Sequence, residues 1–206
     1  MTYDSDILIA GGGLNGPALA LGLAQAGFNV TMVDTRPENA RAGDNFDGRG
    51  YALALASKRL LNAIGIWPRV AQNAQPMLEI KVTDGRANEG PAPFFLHFDH
   101  AEIEEGPMGF MLEDRFLYRA FLDAVSEEDR ITKISEDSVV SQDIDATGAS
   151  VTLASGKTLR TRLLVGCDGR QSGVAQRAHI KRTGWDYGQT ALVCAIEHDL
   201  PHGGVA

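Results

Sequence analysis

Asp6-Ile7-Leu8-Ile9-Ala10-Gly11-Gly12-Gly13-Leu14-Asn15-Gly16-Pro17 is the stretch that decides the fold of this 206-residue chain. Ile7 to Ala10 is a short, continuous apolar run of the kind found in a strand covered on both faces, and it stops at three glycines. Pro17 suits the first turn of a helix, where its missing N–H would have had no partner in any case. Ala18, Leu19, Leu21, Leu23 and Ala24 carry that helix to a stop at Gly27. A second strand, Phe28 to Val33, then ends at Asp34. Strand, helix and strand in this order form a β-α-β unit whose right-handed crossover lays the two strands side by side and parallel.

Gly11, Gly13 and Gly16 spell G-x-G-x-x-G where the first strand meets the helix, and Asp34 answers at the end of the second strand. Gly11 permits the tight turn, Gly13 lets a pyrophosphate approach the backbone, and Gly16 allows close helix packing. The helix N-terminus adds N–H donors and partial positive charge. Asp34 can accept hydrogen bonds from an adenosine ribose and argues against a 2′-phosphate at this place. The motif predicts an ADP-containing ligand without separating FAD from NAD; its alternative is a glycine-rich turn that binds nothing.

Farther along, the polar stretch from Arg36 to Gly50 is long for an idle loop. A helix follows from Ser57 through Leu60, Leu61 and Ile64 to Gly65. Glu79 to Thr83 and Phe94 to Phe98 read as strands of a subsidiary sheet. Asp114 can cap a helix whose apolar face is Phe116, Leu117, Ala120, Phe121 and Val125. Ser138 to Gln142, Val151 to Ala154 and Thr158 to Arg160 make a small antiparallel meander. A separate apolar strand, Leu163 to Val165, ends at Cys167-Asp168-Gly169 ahead of a short helix from Ser172 to Ala178. Ala191 to Ile196 reads as one more strand, which would expose an unpaired edge and favour self-association.

Composition narrows the function. A chain that is 44% hydrophobic and 22% charged is globular, and its net charge of -8 repels phosphate backbones, so no nucleic-acid partner is expected. Cys167 and Cys194 sit in apolar runs without a CxxC spacing and read as reduced, buried thiols. His97 and His100 lack the further ligands that a metal site needs, so no metal is expected. The N-terminal apolar run is too short for a signal peptide or a membrane span. No Ser/His/Asp triad is found, and no catalytic side chain is named.

Four separated segments, in order, carry a resemblance: DILIAGGGLNGPALALGLAQAGFNVTMVD at the N-terminus, GRGYALALASKRLLNAIGIW from Gly48 to Trp67, MLEDRFLYRAFLDAV from Met111 to Val125, and LLVGCDGRQSGVAQRAHI from Leu163 to Ile180. Together they resemble the flavoprotein aromatic hydroxylases of the para-hydroxybenzoate hydroxylase fold, and within them the branch that hydroxylates prenylated phenols in ubiquinone biosynthesis. The resemblance implies an α/β fold: an FAD-binding, Rossmann-like β-α-β domain with a three-stranded β-meander, plus part of a smaller mixed-sheet substrate domain. The FAD-binding domain would comprise 1–75 and 106–178, and the partial substrate domain 76–105 and 179–206.

Residue by residue, the resemblance makes Gly11, Gly13 and Gly16 the pyrophosphate loop and Asp34 the ribose acid. Arg49 matches an arginine near the flavin. Arg115 matches the arginine of a helix start that helps hold FAD, with Asp114 where many members have Asn. Asp168 and Gly169 match a second fingerprint used near the FAD pyrophosphate and in NAD(P)H handling, and Ser172 fits it. Ala175 stands where many relatives have an arginine, although Arg177 lies close by. Read without the resemblance, Arg49 and Arg115 are surface ion-pair partners, the commoner fate of an arginine, and Asp168-Gly169 is an ordinary turn.

What the resemblance implies is an enzyme: an FAD-dependent monooxygenase that uses NAD(P)H and dioxygen to hydroxylate an aromatic small molecule, a prenylated phenol in ubiquinone biosynthesis. The cofactor carries the difficult chemistry, and the protein contributes binding and orientation. A third fingerprint, Gly-Asp or Gly-Asn before Ala-Ala-His, is absent, and the chain is expected to be the N-terminal half of such a hydroxylase. A hydroxylase of another small aromatic and a catalytically silent nucleotide-binding module are the alternatives. A cytoplasmic setting is implied, with peripheral contact to the inner membrane or a biosynthetic complex suggested by a polyprenyl substrate.

Overall fold

The computed structural model describes residues 2–206 apart from 39, 41, 42, 44 and 87. Residues 39, 41, 42 and 44 belong to the long loop expected from Arg36 to Gly50, and that part of the expectation lies outside the described residues. In chain order the elements are β1 (Ser5–Ala10), α1 (Asn15–Gln25), β2 (Val30–Val33), β3 (Gly50–Ala54), α2 (Leu55–Ala63), α3 (Trp67–Val70), β4 (Gln75–Met77) and β5 (Glu79–Arg86). There follow β6 (Gly90–Asp99), β7 (Gly109–Glu113), α4 (Asp114–Ser126), β8 (Ile131–Ile134), β9 (Val139–Asp145), β10 (Gly148–Leu153), β11 (Thr158–Gly166) and α5 (Gly173–Arg177).

Two units make up the chain: Met1–Asp44 with Tyr118–Ala191, and Asn45–Leu117 with Leu192–Ala206. The first is built on a six-stranded sheet in the order β8-β2-β1-β11-β10-β9. Its first four strands run parallel, while β10 pairs antiparallel with both β11 and β9. Strand β1 therefore has a neighbour on either side, and Leu8 and Ile9 are fully buried, which is why its sequence is apolar without alternation. Leu8 packs with Val33, Ala149, Val151, Leu153 and Leu159 in one core. Helix α1 buries Pro17, Ala20, Leu21 and Ala24, and the chain leaves it through Gly27 at φ +96°.

Strand β11 corrects the sequence reading. Thr158 to Arg160 and Leu163 to Val165 were expected as separate strands, but they are one continuous strand of nine residues. Its first half pairs antiparallel with β10 and its second half parallel with β1. The changeover falls at Thr161, which is fully buried and donates its hydroxyl to the Asp6 carbonyl at 3.0 Å. A polar residue inside an apolar strand reads as a break unless its partner is known.

The second unit contains a three-stranded antiparallel sheet, β3-β7-β4, and the hairpin β5-β6. Leu61, Ile64, Ile66, Val70, Met77 and Leu112 supply its buried apolar residues. Because β7 pairs with both β3 and β4, residues 45–75 and 106–117 group here, whereas the sequence boundaries placed them with the nucleotide-binding segments. At the end of the chain, Val205 forms a parallel bridge to Glu79, and the Ala206 N–H donates to the Glu79 carbonyl at 2.8 Å.

The strand expected from Ala191 to Ile196 is not formed. These residues are irregular, Leu192 is 93% exposed, and Cys194, expected to be buried, is exposed as well. An apolar run becomes a strand only where another backbone completes its ladder, and none of the described residues pairs with this one.

Candidate nucleotide-binding site

The turn after β1 is shaped by backbone contacts that exclude side chains. Gly11 has φ +109°, and a Cβ there would fall 2.2 Å from the Cys167 carbonyl oxygen, just beyond the end of the neighbouring strand β11. At Gly16 a Cβ would lie 1.9 Å from the Gly11 carbonyl oxygen, so the helix start is pressed onto the turn. Gly13 differs from both, since nothing lies within 4 Å of the place its Cβ would take. The two outer glycines close the turn, and the middle one leaves open backbone.

Asp34 ends the second strand on this turn. Its carboxylate accepts from the Gly12 N–H, from the Arg36 N–H at 2.7 Å, and from the Arg36 guanidinium at 3.1 and 3.2 Å. Burial pushes the Asp34 carboxyl up, but the Arg36 hydrogen bonds and the two backbone donors outweigh it, and the group titrates below the usual carboxylate range. Asp34 is thus ionised at neutral pH, and a ribose hydroxyl here would share its acceptors with Arg36.

Asp168 and Gly169 follow β11. Asp168 accepts from the Ser172 hydroxyl at 2.5 Å and from the Val174 N–H at 3.1 Å, while Ser172 accepts from the Ala175 N–H at 3.0 Å. Burial raises the Asp168 carboxyl and these donors lower it further, leaving it below the usual value. Gly169 takes φ +85°, which lets the chain reverse into α5. Cys167 is half-buried, and burial together with the Asp168 charge pushes its thiol up, away from a reactive thiolate.

Gly11, Gly13, Asp34, Asp168 and Gly169 all line one cleft of about 380 Å³ in the first unit. Gly16 lies beneath the turn and shapes it. Arg36, Asp137 and Ser138 also line the cleft but escaped the sequence reading. Arg36 could have been found two residues after the acid; Asp137 and Ser138 enter only because β8 pairs with β2 and delivers the next loop to the same place. A small apolar pocket lined by Met32, Tyr118, Phe121, Val125 and Ile134 also includes Gly12 and Asp34 in its wall.

Arg49 and Arg115 belong to the second unit. Arg49 donates Nε to Asp47 at 2.8 Å and stands 3.8 Å from the carboxylate of Asp114, whose own N–H donates to the Arg49 carbonyl at 3.0 Å. Tyr51 donates its hydroxyl to Asp114 at 2.7 Å. Arg115 donates to Glu113 at 2.6 Å and lies 4.7 Å from the centroid of the Phe116 ring. His97 is paired with Glu79 at 2.8 Å, and His100 with the Leu78 carbonyl at 3.0 Å. Among the described residues no three His, Cys, Asp or Glu side chains gather as metal ligands.

A strand, a glycine turn, a helix and an acid-terminated parallel strand around an open cleft define a dinucleotide-binding α/β protein. The chain belongs to the FAD binding domain family, whose sequence profile matches residues 4–201. It is 41% identical over 202 residues to the ubiquinone hydroxylase UbiL of Rhodospirillum rubrum, covering 98% of this chain and 46% of that protein. The 3-demethoxyubiquinol 3-hydroxylase of Escherichia coli is 30% identical over 195 residues, covering 94% of this chain and 48% of the other. The chain therefore spans just under half the length of these curated relatives.

Solved structures agree on the fold. Pseudomonas aeruginosa PqsL, in complex with 2-aminobenzoylacetate, matches with a TM-score of 0.70 at 24% identity, over 87% of this chain and 47% of that one. Aklavinone-11 hydroxylase, in a ternary complex with FAD and aklavinone, matches with a TM-score of 0.68 at 23% identity, over 87% and 35%.

Proposed function

We propose that this chain is the nucleotide-binding half of an FAD-dependent monooxygenase that hydroxylates a prenylated phenol in ubiquinone biosynthesis, with NAD(P)H and dioxygen as co-substrates. The observation that carries the reading is Gly13: it is open backbone on a cleft whose neighbouring glycines are closed by contact and whose rim carries an ionised acid. That arrangement suits a diphosphate against the turn and a ribose at Asp34. The family match adds the flavin, and the names of the relatives supply the substrate class.

The residues present fit FAD. Gly11 and Gly13 would offer backbone to the diphosphate, Gly16 keeps the helix close to it, and Asp34 would accept from the ribose. Asp168 and Gly169 would form the opposite wall, where Ser172 and the Val174 N–H hold the Asp168 carboxylate in place. The resemblance assigns Arg49 and Arg115 to the flavin, and within their own unit Asp47 and Glu113 orient the two guanidinium groups. When bound, the flavin supplies the redox and oxygen-transfer chemistry, and this chain's part is to bind and orient it.

No helix among the described residues is long and apolar enough to cross a membrane. Peripheral contact with a bilayer or a biosynthetic complex is the proposed route to a polyprenyl substrate, and it rests on that substrate's apolar tail alone.

Titration of the purified chain with FAD, followed by quenching of flavin fluorescence, tests the reading. Saturable binding is expected, and Asp34→Ala or Gly13→Val should abolish it while leaving the far-ultraviolet circular dichroism unchanged. Binding indifferent to both changes would remove FAD from this cleft. Consumption of NAD(P)H dependent on a prenylated phenol, by a protein containing this chain and the remaining length of its relatives, tests the reaction.

A further inference from the structure

We propose that Arg177 is the residue that neutralises the diphosphate of an ADP-containing ligand in the cleft beside Gly13. This rests on the nucleotide-binding reading above and assigns a charge partner that the glycine fingerprint does not contain.

Arg177 closes α5, is half-buried and lines the cleft. Its Nε donates to the Gln142 side-chain oxygen at 3.2 Å, and the Gln142 amide nitrogen donates to the Val174 carbonyl at 3.2 Å. Both ends of the Gln142 amide are thereby used, which fixes its orientation and anchors the guanidinium from β9. A Cβ on Gly173 would lie 3.0 Å from a terminal guanidinium nitrogen of Arg177, so the group rests against a backbone without a side chain.

Charge in the cleft is otherwise settled locally. Asp34 is paired with Arg36; Asp137 accepts from the Ser155 hydroxyl at 2.6 Å and the Ser138 N–H at 2.8 Å; Asp168 is held by Ser172 and Val174. Among the described residues Arg177 has a neutral amide as its hydrogen-bond partner and no carboxylate in ion-pair contact. With Arg177 the three acids and two arginines of the lining sum to a formal charge of -1, and without it to -2, so Arg177 halves the net negative charge that a diphosphate meets there. A planar guanidinium pre-oriented by a side-chain amide is suited to phosphate oxygens. If Arg177 only tied α5 to β9, its loss would lower stability and leave ligand affinity alone.

The test uses the whole chain with three probes: FAD by flavin fluorescence, ADP by calorimetry, and NADPH by its own fluorescence. Arg177→Gln is expected to weaken FAD and ADP about tenfold, the loss of one charge-assisted contact. Arg177→Lys should recover part of that affinity, added salt should weaken the wild type more than Arg177→Gln, and the unfolding midpoint without ligand should not move. Gln142→Leu, which frees the guanidinium without removing it, should give a smaller loss in the same direction, and serves if Arg177→Gln folds poorly.

Wild-type affinity for FAD and ADP in Arg177→Gln overturns the inference and leaves the flavin reading standing. Arg177-dependent binding of ADP and NADPH without FAD supports the inference and overturns the flavin reading. No binding of any probe overturns both.

Discussion

The backbone of Gly16 passes so close to Gly11 that a Cβ at residue 16 would sit 1.9 Å from the Gly11 carbonyl oxygen. Backbone cannot step aside as a flexible side chain can, so Gly16→Ala should destabilise the chain by about 1–3 kcal/mol, the range for overpacking a tight site. Gly13→Ala, where nothing lies within 4 Å, should leave stability within about 0.5 kcal/mol of wild type and weaken nucleotide binding instead. Urea unfolding beside ligand titration of the two variants checks the split; equal loss of stability in both would refute it.

Asp114 is 1% exposed and receives the Tyr51 hydroxyl at 2.7 Å. Tyr51→Phe removes a donor from a carboxylate that water barely reaches, at an expected cost of about 1–3 kcal/mol. The loss should be smaller in Asp114→Asn, where no buried charge depends on that donor. A double-mutant cycle on the two positions measures the coupling, and a value indistinguishable from zero would contradict it.

Acid should weaken the first unit by a definite route. Asp34 and Asp168 are each raised by burial and lowered more by their donors, so both carboxyls titrate below the ordinary value when folded. A depressed native pKa contributes stability above the unfolded pKa, near about 3.9, and the contribution is lost as pH falls through the native value. Thermal midpoints should therefore be level above about pH 5 and decline below about pH 4. Asp168→Asn should flatten that decline, and an unchanged slope would exclude Asp168 as a contributor.

Exposed apolar groups favour association of this chain. Phe94 is 86% exposed on β6, and Leu192 is 93% exposed in the irregular segment before the chain end. Phe94, Leu96 and Phe98 share one face of β6 and are all exposed, a contiguous apolar patch of the kind that favours association, and sedimentation velocity should show species larger than a monomer whose proportion rises with concentration. Phe94→Ser with Leu192→Ser should shift the distribution toward monomer, whereas a monodisperse wild type would show that neither group is sticky.

Legibility in the sequence followed the range of the interactions. The β-α-β unit, its three glycines and Asp34 could be read directly, because a covered strand, a tight turn and a helix start leave their marks within about thirty residues. The sheet β3-β7-β4 could not: its strands are three to five residues long, and Gly50–Ala54 alternates between exposed and half-buried positions, so only pairing with Gly109–Glu113 makes it a strand. Ala191 to Ile196 misled in the opposite sense, being apolar enough for a strand yet without a ladder partner among the described residues.

Local sterics and hydrophobic burial act over a few residues, so the sequence by itself determined the nucleotide-binding crossover, the glycine at each tight place and the acid that ends β2. Tertiary structure alone decided that β11 crosses from antiparallel to parallel pairing at Thr161, that the loop after β8 joins the cleft, and that Arg177 enters it on an anchor from Gln142. Those outcomes depend on which backbones lie side by side. Hydrogen-bond ladders join residues as far as 156 positions apart, as Ser5 and Thr161 stand in register, and no local pattern records them.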